Sequence, residues 1–107
     1  MKGKLFLVHW NASEAEEYAG RLRSEGWTVE VEAKDGARAC KHIKADPPDV
    51  VVIYLTRLPS HGRRTGEYLR EVKATHNVPI IFVDGKQDAI EKTKAKVPDA
   101  IYTTSSQ

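Results

Sequence analysis

The 107-residue sequence contains a single cysteine, Cys40, so it cannot form an internal disulfide or a cysteine-based metal cluster. Cys40 lies among helix-forming residues, which favours a buried small hydrophobic side chain over a redox or catalytic thiol. No apolar run approaches the roughly 20 residues that a membrane-spanning helix needs. The apolar segment at residues 5–8 is too short for a secretory signal. These absences predict a cytoplasmic protein without a membrane span.

A strong excess of one charge is also missing, because 17 basic residues face 15 acidic residues and the net charge is +2. Nucleic-acid binders usually carry a basic patch or stripe. Lys92, Lys94 and Lys96 lie on one predicted helix, but Asp88 and Glu91 alternate with them, as on a solvated face. The chain contains no glycine-rich phosphate loop of the dinucleotide or P-loop type. Nucleic-acid binding and these two kinds of nucleotide enzyme are therefore disfavoured.

Apolar strands and amphipathic helices alternate along the whole chain. The predicted strands cover residues 5–8, 27–32, 49–55, 80–83 and 100–103. The predicted helices begin at a capping box of Ser13 and Glu16, at Asp35, near Arg64 and at Asp88. The length suits one domain, residues 1–107. The pattern predicts an α/β domain of three layers, in which helices cover both faces of a five-stranded parallel sheet.

The third predicted helix runs from about residue 64 to residue 76. Its apolar spacing predicts that Tyr68, Leu69 and Val72 are buried. Residues 60–64 are then expected in a loop just ahead of this helix, whose free amides favour negative charge.

Several strand motifs together resemble the receiver domain of bacterial response regulators, and the resemblance covers nearly the whole chain. They are residues 5–8 for the first strand, 48–53 for the approach to the phosphorylation site, 79–83 for the fourth strand and 97–103 for the fifth. The resemblance implies a flavodoxin-like strand order 2-1-3-4-5, with the functional end at the carboxyl ends of the strands. The fifth receiver helix has no counterpart in the sequence.

The receiver chemistry is replaced at every matching position. His9 and Trp10 stand where the resemblance implies two acidic magnesium ligands, and Tyr54 stands where it implies the phospho-accepting aspartate. Asp84 replaces the usual Thr or Ser, and Thr104 or a close neighbour replaces the lysine. The resemblance therefore predicts a pseudo-receiver without phosphorylation, catalytic residue, cofactor or metal. Tyr54 is expected to fill the former acidic pocket, and Trp10 either covers the sheet end or offers a stacking surface.

Basic and polar residues occupy the same predicted rim of the sheet. They are Arg57, Ser60, His61, Arg63, Arg64 and Lys86. These side chains could bind a phosphate, a nucleotide or an acidic peptide. The competing interpretation is a set of solvated loop residues in which Arg57 or Arg64 pairs with Asp84. His9 and His61 lack a third ligand, so a metal site is not predicted.

The missing fifth helix would leave apolar surface of strands one, four and five exposed, which usually marks an interface. A second copy of the chain or a partner's helix would cover it. The competing explanations are that the sequence is a shortened piece or that the first helix shifts over the gap. The sequence therefore supports two functional hypotheses. The first is a non-enzymatic pseudo-receiver that binds proteins in signal transduction. The second is a small module or enzyme that binds an anion at the basic rim and uses His9 or Asp84 for proton transfer.

Overall fold

The computed structural model describes residues 2–105 of the chain. Strands and helices alternate in the order β1 (Gly3–Val8), α1 (Ala12–Ser24), β2 (Trp27–Glu32), α2 (Gly36–Ala45), β3 (Val50–Tyr54), α3 (Pro59–Glu71), β4 (Ile80–Val83), α4 (Gln87–Lys96) and β5 (Ile101–Thr103). The five strands are parallel and lie in the order β2-β1-β3-β4-β5. The predicted architecture and strand order are confirmed.

The strand sequences account for their positions in the sheet. All five residues of β3 are buried, because this apolar strand lies between β1 and β4 and is covered on both faces. The edge strand β2 instead alternates exposed and buried residues over much of its length. Its partial exposure follows from having a neighbour on one side only.

The two faces of the sheet bury different side chains. Leu5, Leu7 and Val52 face α1, whereas Phe6, Ile53 and others pack below α2, α3 and α4. Cys40 belongs to the second cluster and is 6% exposed, and burial raises the pKa of its thiol to about 11. Such a thiol is neutral and unreactive at neutral pH.

The N-cap of helix α1 lies two residues earlier than the predicted capping box. Asn11 is the N-cap, and its side-chain oxygen accepts a hydrogen bond of 3.0 Å from the Glu14 amide. Ser13 lies inside the helix, and its hydroxyl is 3.4 Å from the Asn11 side chain. The capping-box prediction with Ser13 and Glu16 was wrong, because Asn11 is the earlier residue able to satisfy a free amide.

Helix α3 also begins earlier than predicted, at Pro59, and ends at Glu71. Proline is well suited to a first helical turn because it has no amide hydrogen to satisfy. Residues 60–64 are therefore helical and do not form the expected loop ahead of the helix. Tyr68 was predicted to be buried and is 42% exposed, whereas Leu69 is fully buried as predicted.

The face beside α1 exposes less apolar surface than the sequence predicted. Leu5 and Leu7 of β1 are at most 3% exposed, and Val83 of β4 is 5% exposed. Only Ile101 of β5 is well exposed, at 59%, beside the half-buried Ile81 with which it is paired. No helix within residues 2–105 follows β5, and none of the helices there is long and apolar enough to cross a membrane. The prediction of an exposed strand-one surface was wrong.

Candidate functional site

Three aromatic rings fill the carboxyl ends of β1 and β3. The rings of His9 and Tyr54 stack with 4.6 Å between their centroids, and Tyr54 stacks on Tyr18 of α1 at 4.8 Å. The guanidinium of Arg21 lies 5.6 Å from the centre of the Tyr18 ring. His9 is 1% exposed and Tyr54 is 5% exposed. Tyr54 is therefore buried at the carboxyl end of β3 as the middle layer of a stack.

His9 is held in this stack by the backbone of its own loop. Its Nδ1 accepts hydrogen bonds from the Trp10 amide at 2.8 Å and the Asn11 amide at 3.2 Å. Since Nδ1 is an acceptor, the neutral ring carries its proton on Nε2. Nε2 lies 3.3 Å from a carboxylate oxygen of Glu14. Both ring nitrogens face fixed groups, so His9 is not the free proton-transfer residue that the sequence suggested.

Burial decides the charge state of His9. Desolvation lowers its pKa below the ordinary value of 6.5, and nearby Arg57 acts in the same direction. The carboxylates of Glu14 and Asp84 oppose this shift without cancelling it. The imidazole is therefore neutral at neutral pH.

Glu14 links His9 to Arg57. The Arg57 guanidinium donates from Nε and Nη2 to the two carboxylate oxygens of Glu14, with a distance of 3.3 Å for the Nε bond. This hydrogen bonding lowers the pKa of the Glu14 carboxyl and raises that of Arg57. The sequence had suggested Asp84 as a partner of Arg57. That prediction was wrong, because Glu14 of α1 lies at the same end of the sheet and occupies the guanidinium.

Tyr54 and Asp84 are poorly suited to phosphoryl chemistry. Desolvation raises the pKa of the Tyr54 phenol, with smaller contributions from Tyr18 and Asp84, so the phenol stays neutral. Asp84 has a positive φ of 61°, and its carboxylate accepts a 2.8 Å hydrogen bond from the Ser105 amide. This hydrogen bond connects the segment after β5 to the loop after β4.

Trp10 faces the other side of the sheet from His9. It is half-buried against the α2 and α3 core, and the edge of its ring contacts His61, with centroids 5.4 Å apart. Its indole N–H is buried without a hydrogen-bond partner in the described structure. The side chain therefore covers the sheet end and also lines the groove between the two helices.

The basic rim predicted from the sequence is spread over separate surfaces. Arg57 lines a cleft with His9 and Glu14, whereas His61 and Arg64 line the groove between α2 and α3. Lys86 is exposed at the N-cap of α4. The remaining predicted residues are placed as follows: Ser60 is exposed and Arg63 half-buried in α3, and Thr104 is exposed after β5. No single described cleft gathers these cations around one anion.

Two members of the stacked site escaped the sequence analysis. Glu14 and Tyr18 are one helical turn apart on α1 and both reach His9. Their spacing from the N-cap could have predicted this contact, since a helix capped by Asn11 directs these two positions toward the end of β1. The predicted cap at Ser13 gave the wrong spacing, so the contact was missed.

Comparison with solved structures places the fold among response-regulator receiver domains. The N-terminal domain of a response regulator receiver protein from Methanoculleus marisnigri is 18% identical, with a TM-score of 0.76 over 99% of this chain and 88% of that one. The chemotaxis protein CheY4 of Vibrio cholerae is 17% identical, with a TM-score of 0.79 over 96% and 85%. The non-phosphorylated HemR receiver domain of Leptospira biflexa is 21% identical, with a TM-score of 0.73 over 96% and 81%.

No protein-family model and no curated protein sequence matches the chain. The structural likeness at these identities shows the fold alone.

Proposed function

We propose that this chain is a phosphorylation-independent pseudo-receiver, a non-enzymatic protein-interaction module of cytoplasmic signal transduction. One observation carries the proposal: the stack of His9, Tyr54 and Tyr18 occupies the end of the sheet at which a receiver would bind magnesium and accept a phosphoryl group. The neutral phenol of Tyr54 cannot form an acyl phosphate. A buried imidazole and an indole are not the hard oxygen ligands that magnesium prefers.

The connections around the stack support a fixed role for this site. Arg57 is engaged by Glu14, the Nδ1 atom of His9 by two backbone amides and Asp84 by the Ser105 amide. His9 and Asp84 stand at positions that the receiver resemblance assigns to chemistry, and both are used here in structural hydrogen bonds. The loops at this end are thereby fixed without a ligand, which suits a domain that presents a constant surface to its partner.

Acetyl phosphate tests this proposal directly. The purified chain is incubated with acetyl phosphate and magnesium, and its intact mass is measured alongside an active receiver domain as the positive control. We expect no phosphoryl addition. A phosphorylated product from the wild-type chain would overturn the proposal.

The variant Tyr54→Asp separates the loss of the acceptor from the loss of the metal ligands. We expect it to stay unphosphorylated too, because His9 and Trp10 still occupy the metal-ligand positions. Phosphorylation of this variant would mean that the scaffold had kept its metal site and lost only the acceptor.

A protein partner at the face beside α1 is the second part of the proposal. Ile101 is 59% exposed next to half-buried Ile81, on the edge strand β5. The sequence predicted an exposed apolar surface because a fifth helix is missing, and this strip is the part of that surface that is exposed. A homodimer across the strip stays a prediction. Ile101→Glu would abolish a homodimer built on this strip, as measured by light scattering.

A further inference from the structure

Helices α2 and α3 border an open groove of about 790 Å³ on the face opposite α1. Trp10 lies at one end of it, and Tyr68, 42% exposed, projects from its α3 wall. An aromatic side chain at a groove wall is the kind of residue that contributes strongly to protein interfaces. The receiver-like site does not use this groove.

Toward their C-terminal ends the two helices border the groove with opposite charges, whereas Arg64 lies one turn earlier on α3 and Lys34 and Asp35 lie ahead of α2. Lys41 and Lys44 are three residues apart on α2, and Glu67 and Glu71 are four residues apart on α3, so each pair shares one side of its helix. None of the four takes part in an ion pair or hydrogen bond through its side chain in the described residues. The charges of both walls are available to another molecule.

The two charged pairs lie at similar positions along the axes of α2 and α3. The first turn of α2 lies beside Thr65, since a Cβ on Gly36 would be 3.0 Å from Thr65 Oγ1 and Cys40 Sγ is 4.0 Å from the Thr65 carbonyl. Both helices run in the same direction because each connects two parallel strands of one sheet and lies on the same face of it. Lys41 and Lys44 follow Cys40 by one and four residues on α2, and Glu67 and Glu71 follow Thr65 by two and six residues on α3.

We propose that a second copy of this chain binds across this groove and forms a two-fold symmetric homodimer. A two-fold axis parallel to the helices places α2 of each copy over α3 of the other. Lys41 and Lys44 of one copy then face Glu67 and Glu71 of the other, and the same contact is repeated by symmetry. A two-fold axis across the helices would instead bring the lysines together, so the charge pattern selects the first arrangement.

Charge also favours a second copy over an anionic ligand as the occupant. Lys34 and Arg64 also line the groove, but an anion at Lys41 and Lys44 would meet Glu67 and Glu71 on the opposite wall. At the N-terminus of α2 the Asp35 carboxylate already accepts hydrogen bonds from the Ala37 and Arg38 amides. A surface with positive charges on α2 and negative charges at the same level on α3 is complementary to a second copy of itself. Tyr68 supplies the apolar contact between the copies. The homodimer does not depend on the proposed loss of phosphorylation.

Paired charge reversals test the proposed interface. Light scattering coupled to size-exclusion chromatography would measure the mass of the wild type, of Lys41→Glu with Lys44→Glu, and of Glu67→Lys with Glu71→Lys. We expect the wild type to have twice the monomer mass of 12.0 kDa. Each double variant should be a monomer at the same concentration, because like charges then face each other at both symmetric contacts.

An equimolar mixture of the two double variants is the decisive sample. In the mixed dimer each α2 again faces an α3 of opposite charge, so the mass should return to that of a dimer. Circular dichroism of each variant confirms that the exposed helices still fold. A monomeric wild type, or a mixture that stays monomeric, would overturn the proposal.

Two further variants locate the contact. Lys92→Glu with Lys96→Glu reverses two exposed lysines of α4 outside the groove, and it should leave the dimer intact. Ile101→Glu should leave a dimer formed through the groove intact, whereas it would abolish one formed through the β5 strip. A dimer that is lost in Ile101→Glu and kept in the groove variants would assign the contact to β5 and refute the groove interface.

Discussion

At the residue scale, His9 has a structural role in the loop after β1. Its ring is buried against Tyr54, and its Nδ1 takes the amides of the two residues that follow it. Losing this acceptor would leave the amides of Trp10 and Asn11 short of a partner, at a cost of about 1–3 kcal/mol for each one that stays buried. The imidazole therefore fixes the turn between β1 and α1.

The lowered pKa of His9 predicts a loss of stability in mild acid. The unfolded chain binds a proton near pH 6.5, whereas the folded state resists it, so the contribution of His9 is fully present above pH 6.5. It is lost progressively as the pH falls from 6.5 through the lower pKa of the folded state. Urea unfolding at pH 8, 7, 6 and 5 measures this loss.

The variant His9→Asn is the matched control for the pH series. A side-chain amide oxygen can replace Nδ1 as an acceptor but does not titrate. We expect a smaller decrease in the free energy of unfolding between pH 8 and pH 5 than in the wild type. Working above pH 5 also avoids protonation of Glu14, whose folded pKa lies below 4.5. Equal slopes for the two proteins would contradict the role assigned to His9.

At the element scale, the start of α1 positions the site, since Glu14 and Tyr18 follow from it. Asn11→Ala removes the side chain that accepts from the Glu14 amide and should lower the free energy of unfolding by about 1 kcal/mol. Ser13→Ala is the control, because Ser13 would be the N-cap if the capping box were present. It should change stability by less than about 0.5 kcal/mol. Chemical denaturation of both variants measures the difference, and an equal loss would restore the capping box.

The contact between α3 and β4 depends on a glycine. A Cβ at Gly66 would lie 2.6 Å from the Phe82 ring, which is itself buried and stacked on Tyr102. Gly66→Ala should therefore cost about 1–3 kcal/mol from overpacking, offset only in part by its helix propensity of about 1 kcal/mol. Gly20→Ala on α1 meets nothing within 4 Å and should stabilise the chain by about 0.5–1 kcal/mol. Thermal unfolding of the pair checks the contrast in sign.

The elements were largely predictable from the sequence because apolar periodicity distinguishes buried strands from amphipathic helices. Residues 50–54 are all apolar or aromatic and define a central strand, and Asp35 was identified as the cap of α2. The boundaries of α1 and α3 were missed because Asn11 and Pro59 each compete with a later start signal. The two-residue error in the N-cap of α1 hid the role of Glu14, and the five-residue error at the start of α3 misplaced residues 60–64. The stacked site could not be predicted, since it depends on side chains that meet only after the sheet has formed.

At the scale of the whole molecule, the basic residues of the rim face different surfaces. Phosphate, nucleotides and anionic metabolites are therefore expected to leave Tm unchanged in a thermal-shift screen. A specific ligand at one hundred times its Kd would add about 2.7 kcal/mol to the free energy of unfolding. A nucleotide that raised Tm in the wild type and not in Arg64→Ala would instead support the anion-binding alternative.

The strand order has a consequence for the synthesis of the chain. β1 is made first but lies between β2 and β3, and its residue Leu5 pairs with Val50, 45 positions later. Until β3 leaves the ribosome, β1 has only β2 as a neighbour, and the hydrogen-bonding groups of its other side have no strand partner. Residues 2–49 alone would therefore be prone to aggregation, and productive folding of the nascent chain has to wait for β3.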